Sequence, residues 1–136
     1  MPIELKMLVW SVLLTIAQVV VAAAGATGQV GLPPLAGNRE GLPEFTGWAG
    51  RAQRAHRNML ENLVLFAALV LVAQVVGKTN ATTALGAQIF FWARVVYAGV
   101  YLAGIPWVRT GVWGVSMVGL FMILLLPLAL TWGCGD

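Results

Sequence analysis

One stretch concentrates the groups that could do chemistry. Arg51–Phe66, RAQRAHRNMLENLVLF, carries Arg51, Arg54, His56, Arg57, Asn58, Glu61 and Asn62. It runs straight into an apolar segment, Leu63–Val76, interrupted only by Gln74. That segment is too short to cross a bilayer, which takes about 20 helical residues. A spanning helix must therefore begin upstream, near Gly50 or Arg51, and it carries Arg57, Asn58 and Glu61 to membrane depth. Ionisable groups there are costly, face the protein interior or a wet cavity, and are functional candidates by default. At about 100° per residue, Arg54, Asn58 and Glu61 share one face, and Arg57 stands one turn before Glu61. Cations, an amide and a carboxylate in one space suit a small, polar, mostly anionic ligand. Were that ligand a thiol, nearby arginines would favour its thiolate, the nucleophilic form. The blander readings are that these groups tie helices together, or that Arg51 snorkels to the headgroups.

A second stripe lies further along. Arg94, Tyr97 and Tyr101 are spaced i, i+3, i+7 and share one helical face. The tyrosines are either belt residues at the membrane interface or the wall of a site. Depth favours the wall. Glu61 lies about 15 Å below Arg51, and Arg94 about 18 Å below Pro106, at ~1.5 Å per residue. Glu61 and Arg94 are thus expected to pair near mid-bilayer, where neither charge can stay alone. Tyr97 and Tyr101 then climb the wall opposite Asn58 and Arg57. Arg109, expected with Thr110 in a short connection, closes the mouth of a funnel.

The elements that must position these groups follow from composition. The chain of 136 residues is 60% hydrophobic and 10% charged, against about 25% charged in a soluble domain. The expected architecture is an all-α integral membrane protein, one domain over residues 1–136. Four spans are expected at about 5–26, 51–77, 82–105 and 112–132, with a long loop at 27–50. The first is read as a span rather than a cleaved signal peptide, because its apolar run exceeds the usual ~7–15 residues. Asn80 or Thr82 can cap the third helix, and Pro127 can kink the fourth. Arg39, Arg51, Arg54, Arg57 and Arg109 fall on one side, Lys6 and Lys78 on the other. The positive-inside rule then puts the first and third connections in the cytoplasm and both termini outside. With the net charge of +3 gathered at one membrane face, no nucleic-acid partner is expected. One cysteine, Cys134, and one histidine, His56, leave no disulfide and no familiar zinc spacing. No Ser-His-Asp set or phosphate loop supports hydrolase or kinase chemistry.

These motifs resemble those of a known family, the membrane-associated proteins in eicosanoid and glutathione metabolism (MAPEG). RAQRAHRNMLENLVLF resembles the family's second-helix signature, with its arginines, an RN pair, and a glutamate three residues after the asparagine. Thr27–Val30, TGQV, resembles the end of its first helix, and Arg94–Tyr101, RVVYAGVY, its third membrane segment. The resemblance spans all four segments. It implies a four-helix bundle assembled as a homotrimer, with glutathione bound between neighbouring subunits. By that likeness Arg57, Asn58, Glu61, Tyr97 and Tyr101 hold glutathione, Arg94 braces Glu61, and Arg109 stabilises the thiolate. The chain departs from the pattern at Gly31, where several glutathione-using members have an arginine, and at Met59, where an acidic residue often follows the asparagine.

The leading expectation is an enzyme of a bacterial inner membrane, conjugating glutathione to lipophilic electrophiles or reducing lipid hydroperoxides. Its partners are membrane lipids, a lipophilic substrate and further copies of itself, with Gly99 and Ala103 permitting close helix approach. The alternative is a non-catalytic lipid- or glutathione-binding protein of the same fold. A small transporter or channel subunit is a weaker third class.

Overall fold

The computed structural model describes residues 1–37, 41 and 44–132. Asn38, Arg39, Glu40, Pro43 and Cys134 lie outside the described residues, and with them Arg39's share of the charge asymmetry. The chain forms α1 (Ile3–Val30), the short α2 (Leu32–Ala36), α3 (Gly47–Val75), α4 (Ala81–Ala103) and α5 (Pro106–Trp132). The four long helices are each long and apolar enough to cross a membrane, and the protein is an all-helical integral membrane protein.

Local chemistry explains the ends. Gly31 (φ +81°) turns the chain from α1 into α2, and Gly104 (φ +80°) ends α4 in the left-handed conformation that side chains with a Cβ resist. Asn80 caps α4: its side chain accepts from the Thr83 N–H at 3.0 Å, and Thr83 Oγ1 accepts from the Asn80 N–H at 2.8 Å. Pro106 opens α5, where its fixed φ suits the first helical position. Only Gly104 and Ile105 separate α4 from α5, so Arg109 and Thr110 stand in the first turns of α5, not in a connecting loop. Arg51 does not snorkel. Its Nε donates to the Leu102 carbonyl at 3.0 Å, placing a cation on the negative end of α4. The Gln29 amide closes the first connection by bonding both the N–H and the carbonyl of Thr46, at 3.1 and 2.7 Å.

α1 packs along α3, and α4 along α5. Met59, Phe66 and Val70 of α3, Ala87 and Phe90 of α4, and Leu120 and Ile123 of α5 form the apolar core. Phe66 and Phe90 stack there at 4.1 Å. α1 contributes a different inner face: its buried residues are Glu4, Ser11, Thr15, Gly25 and Ala26. Thr15 donates to its own helix at the Ser11 carbonyl, and Glu4 accepts from Thr83 Oγ1 at 3.3 Å across to α4. The helices close in through small residues. A Cβ on Gly86 would stand 2.7 Å from the Gly119 carbonyl oxygen, and one on Gly119 2.6 Å from that of Gly86. Gly99, expected to permit close approach between copies of the chain, has nothing of its own subunit within 4 Å of a Cβ placed there. Gly119→Ala should therefore destabilise the detergent-solubilised protein by about 1–3 kcal/mol, the usual cost of overpacking. Gly114→Ala on the same helix, where a Cβ meets nothing within 4 Å, should melt near the parent in the same thermal-unfolding measurement.

Candidate functional site

The inner seam of α3 is Ala52, Ala55, Met59, Asn62, Phe66, Val70 and Ala73, a repeat of threes and fours that faces α1, α4 and α5. Asn58 lies beside that seam. Glu61 precedes Asn62 by about 100° of rotation, which turns it out of the bundle, and it is exposed. The expected Glu61–Arg94 pair is therefore absent. Arg94 meets α3 at Asn58, three residues before Glu61. Arg94, 1% exposed, donates from Nη2 to Asn58 Oδ1 at 2.6 Å instead. Its guanidinium carbon also lies 4.2 Å from the Tyr97 ring centroid, a cation–π contact. Arg94 Nε and Nη1 are buried with no hydrogen-bond partner. Asn62 completes the cluster, donating from Nδ2 to the carbonyl and to the side-chain oxygen of Asn58, at 2.8 and 3.1 Å.

Above this cluster opens a cavity of about 190 Å³ lined by Asn58, Tyr97, Arg109, Thr110 and Trp113. Tyr97 and Tyr101 are 4% and 8% exposed, so they are wall residues and not an interfacial belt. Their rings pack at 5.5 Å. Arg109 lies over the Tyr101 ring at 4.7 Å, and Arg54 Nε donates to the Tyr101 hydroxyl at 3.2 Å. Of the residues expected at the site, Asn58, Tyr97 and Arg109 line one cavity, with Arg94 and Tyr101 packed directly behind. Arg57 does not join them. It opens, with Gln53 and His56, into a separate cavity of about 310 Å³ bounded by α1, Leu35 and Phe45. A third space, apolar and about 280 Å³, is formed on α3 and α5 by residues including Leu65, Leu69, Met117 and Phe121. On α5 it begins one turn past Trp113. The sequence reading named Asn62 and Thr110 without giving either a role, and missed Trp113. Trp113 was findable: Arg109 and Trp113 are i, i+4 once Pro106 is taken as the first helical residue.

Chemically, the cavity is a pocket of donors with two cations that have no carboxylate partner among the described residues, Arg109 in its lining and Arg94 behind Asn58. Asn58, Arg109 and Trp113 can bring N–H groups and Tyr97 an O–H. Such a wall binds an anion or a carbonyl-rich peptide-like ligand, and the α5 N-terminus adds positive potential there.

The chain belongs to the MAPEG family, whose model matches residues 5–129. No curated protein and no solved structure matches the chain.

Removing the acceptor that Arg94 uses should hurt more than removing the charge at Glu61. Asn58→Leu leaves a buried guanidinium without its side-chain oxygen, at a cost of at least about 1–3 kcal/mol. Glu61→Gln should leave the melting temperature of the solubilised subunit close to the parent. A larger loss for Glu61→Gln than for Asn58→Leu would contradict the assignment.

Proposed function

We propose that this protein is a glutathione-dependent membrane enzyme. It binds glutathione at the Asn58–Tyr97–Arg109 cavity, holds the sulfur as thiolate, and delivers it to a lipophilic electrophile or a lipid hydroperoxide arriving from the bilayer. Family membership points to glutathione- or eicosanoid-related membrane chemistry. The observation that carries the finer reading is the juxtaposition on α3 and α5 of a donor-lined cavity and, deeper in the bilayer, an apolar groove. The first fits a polar, anionic co-substrate and the second fits a hydrocarbon chain. In this scheme Asn58, Tyr97 and Tyr101 anchor glutathione, with Arg94 behind them. Arg109 lies at the mouth, and its cation, near the α5 N-terminus, lowers the thiol pKa from about 8.5. The thiolate then forms a thioether with an electrophilic carbon, displacing a leaving group or opening a strained ring.

Arg57 and Glu61 remain exposed at membrane depth, where lipid is a poor neighbour for charge. A homotrimer with glutathione between subunits would cover them and bring them to the site, which is the assembly we propose. The charge distribution of Arg51, Arg54, Arg57 and Arg109 against Lys6 and Lys78 favours a cytoplasmic mouth with both termini outside. The second reading, a binding protein without turnover, draws on Gly31: its φ of +81° reserves for a backbone turn the position where many glutathione-using members have an arginine.

Titration of solubilised protein with glutathione, followed by thiolate absorbance at neutral pH, tests the proposal. The enzyme reading expects a saturable thiolate signal and turnover with a lipophilic electrophile; binding without either favours the second reading. Arg109→Ala should lower turnover on the order of a hundredfold, as losing one preorganised electrostatic group does, abolish the thiolate absorbance, and weaken glutathione binding at neutral pH by about tenfold at most, the thiolate's share of the affinity.

A further inference from the structure

The Asn58 amide has one orientation available to it. A guanidinium can only donate, so the atom 2.6 Å from Arg94 Nη2 must be the amide oxygen. Asn62 Nδ2 donates to that same oxygen at 3.1 Å, so both of its lone pairs are engaged. The Asn58 nitrogen bonds nothing among the described residues, and Asn58 lines the 190 Å³ cavity. Turning the amide over would set N–H groups against a cation and a second N–H donor, both buried. The same logic repeats one turn higher. Arg54 donates to the Tyr101 hydroxyl oxygen, which leaves that hydroxyl hydrogen free to be given elsewhere.

We propose that Asn62 and Arg94 are positioning residues, which lock the Asn58 amide with its N–H groups toward the cavity and so make the cavity select a carboxylate or thiolate. Neither residue lines the cavity; both act through Asn58. Arg94 supplies more than orientation. With no carboxylate beside it, and with Nε and Nη1 unpartnered, its charge is not neutralised within the subunit. That charge polarises the Asn58 amide, which makes its N–H groups stronger donors. Asn62 holds the second lone pair and also ties the side chain to its own helix at the Asn58 carbonyl. The inference rests on the cavity being the glutathione site, and it adds what the resemblance did not contain: Arg94 serves an amide rather than bracing Glu61, and Asn62 belongs to the machinery.

The test is a double-mutant cycle on glutathione affinity with a melting arm that needs no ligand. Asn58→Asp keeps an oxygen for both Arg94 and Asn62 but offers the cavity no N–H. Its melting temperature should equal or exceed the parent's, because Arg94 gains a counter-ion, while glutathione dissociation constants rise about tenfold or more. Asn62→Leu, similar in volume, should weaken glutathione binding several-fold in the parent and by less than twofold in the Asn58→Asp background. Equal losses in both backgrounds would overturn the proposal, as would unchanged binding in Asn58→Asp. Were the parent itself to bind no glutathione, the functional reading would fall. The melting arm would then decide alone: a lower melting temperature for Asn58→Asp than for the parent overturns the orientation, and a higher one sustains it.

Discussion

Arg94 is a cation held 1% exposed in the interior of an apolar membrane bundle, and its needs order the groups around it. Burying an ion without a partner costs several kcal/mol even after relaxation. The subunit meets that cost without a carboxylate, through one amide oxygen and one aromatic face. Those two partners are Asn58 and Tyr97, the same residues that form the cavity floor. Site and fold are thus coupled at one side chain: the groups that make Arg94 tolerable are groups that line the cavity.

The rest of the bundle leaves room for this arrangement. Helices α4 and α5 approach through Gly86 and Gly119, and α1 meets α3 where Gly25 faces Ala49. Small residues let backbones close without a layer of side chains, a packing mode suited to lipid, where apolar contact alone drives little association. The apolar core is correspondingly concentrated on one side of the cluster, in Phe66, Phe90 and Ile123. Some polar side chains within the bundle bond locally, as Thr15 does to the Ser11 carbonyl and Ser116 to that of Trp113, whereas the Ser11 hydroxyl is buried without a hydrogen-bond partner. Glu4 and Thr83 make a further inter-helix contact near the opposite end.

Much of the fold was legible because the bilayer imposes length and composition: the apolar runs and Asn80 before the third span mark four helices. Depth was legible too, since rise per residue is fixed, and Arg94 and Asn58 do meet. Azimuth was the weak coordinate. A carboxylate near an arginine is the stronger partner in isolation, so Glu61 was favoured, but the seam through Met59, Asn62 and Phe66 decides which side chains point inward. That seam depends on how three other helices pack, which periodicity on α3 alone does not reveal. Arg109 illustrates a boundary error of the same kind. Treating Pro106–Gly111 as a connection hid a helix that starts at Pro106, and with it the shared face of Arg109 and Trp113. Glu4 carries no signal in the sequence, and only the packing of α1 onto α4 buries it.

The central claim is that the cavity prefers negative charge at the sulfur position because its lining presents donors beside Arg109, with Arg94 behind. The most direct measurement is calorimetric titration of the solubilised protein with two glutathione derivatives matched everywhere but at sulfur. Glutathione sulfonate carries a permanent anion there; S-methylglutathione carries none. The account predicts that the sulfonate binds about tenfold or more tightly, a difference of about 1.4 kcal/mol, and that Arg109→Ala removes most of that preference. Equal affinity for the two, or tighter binding of the S-methyl compound, would contradict it.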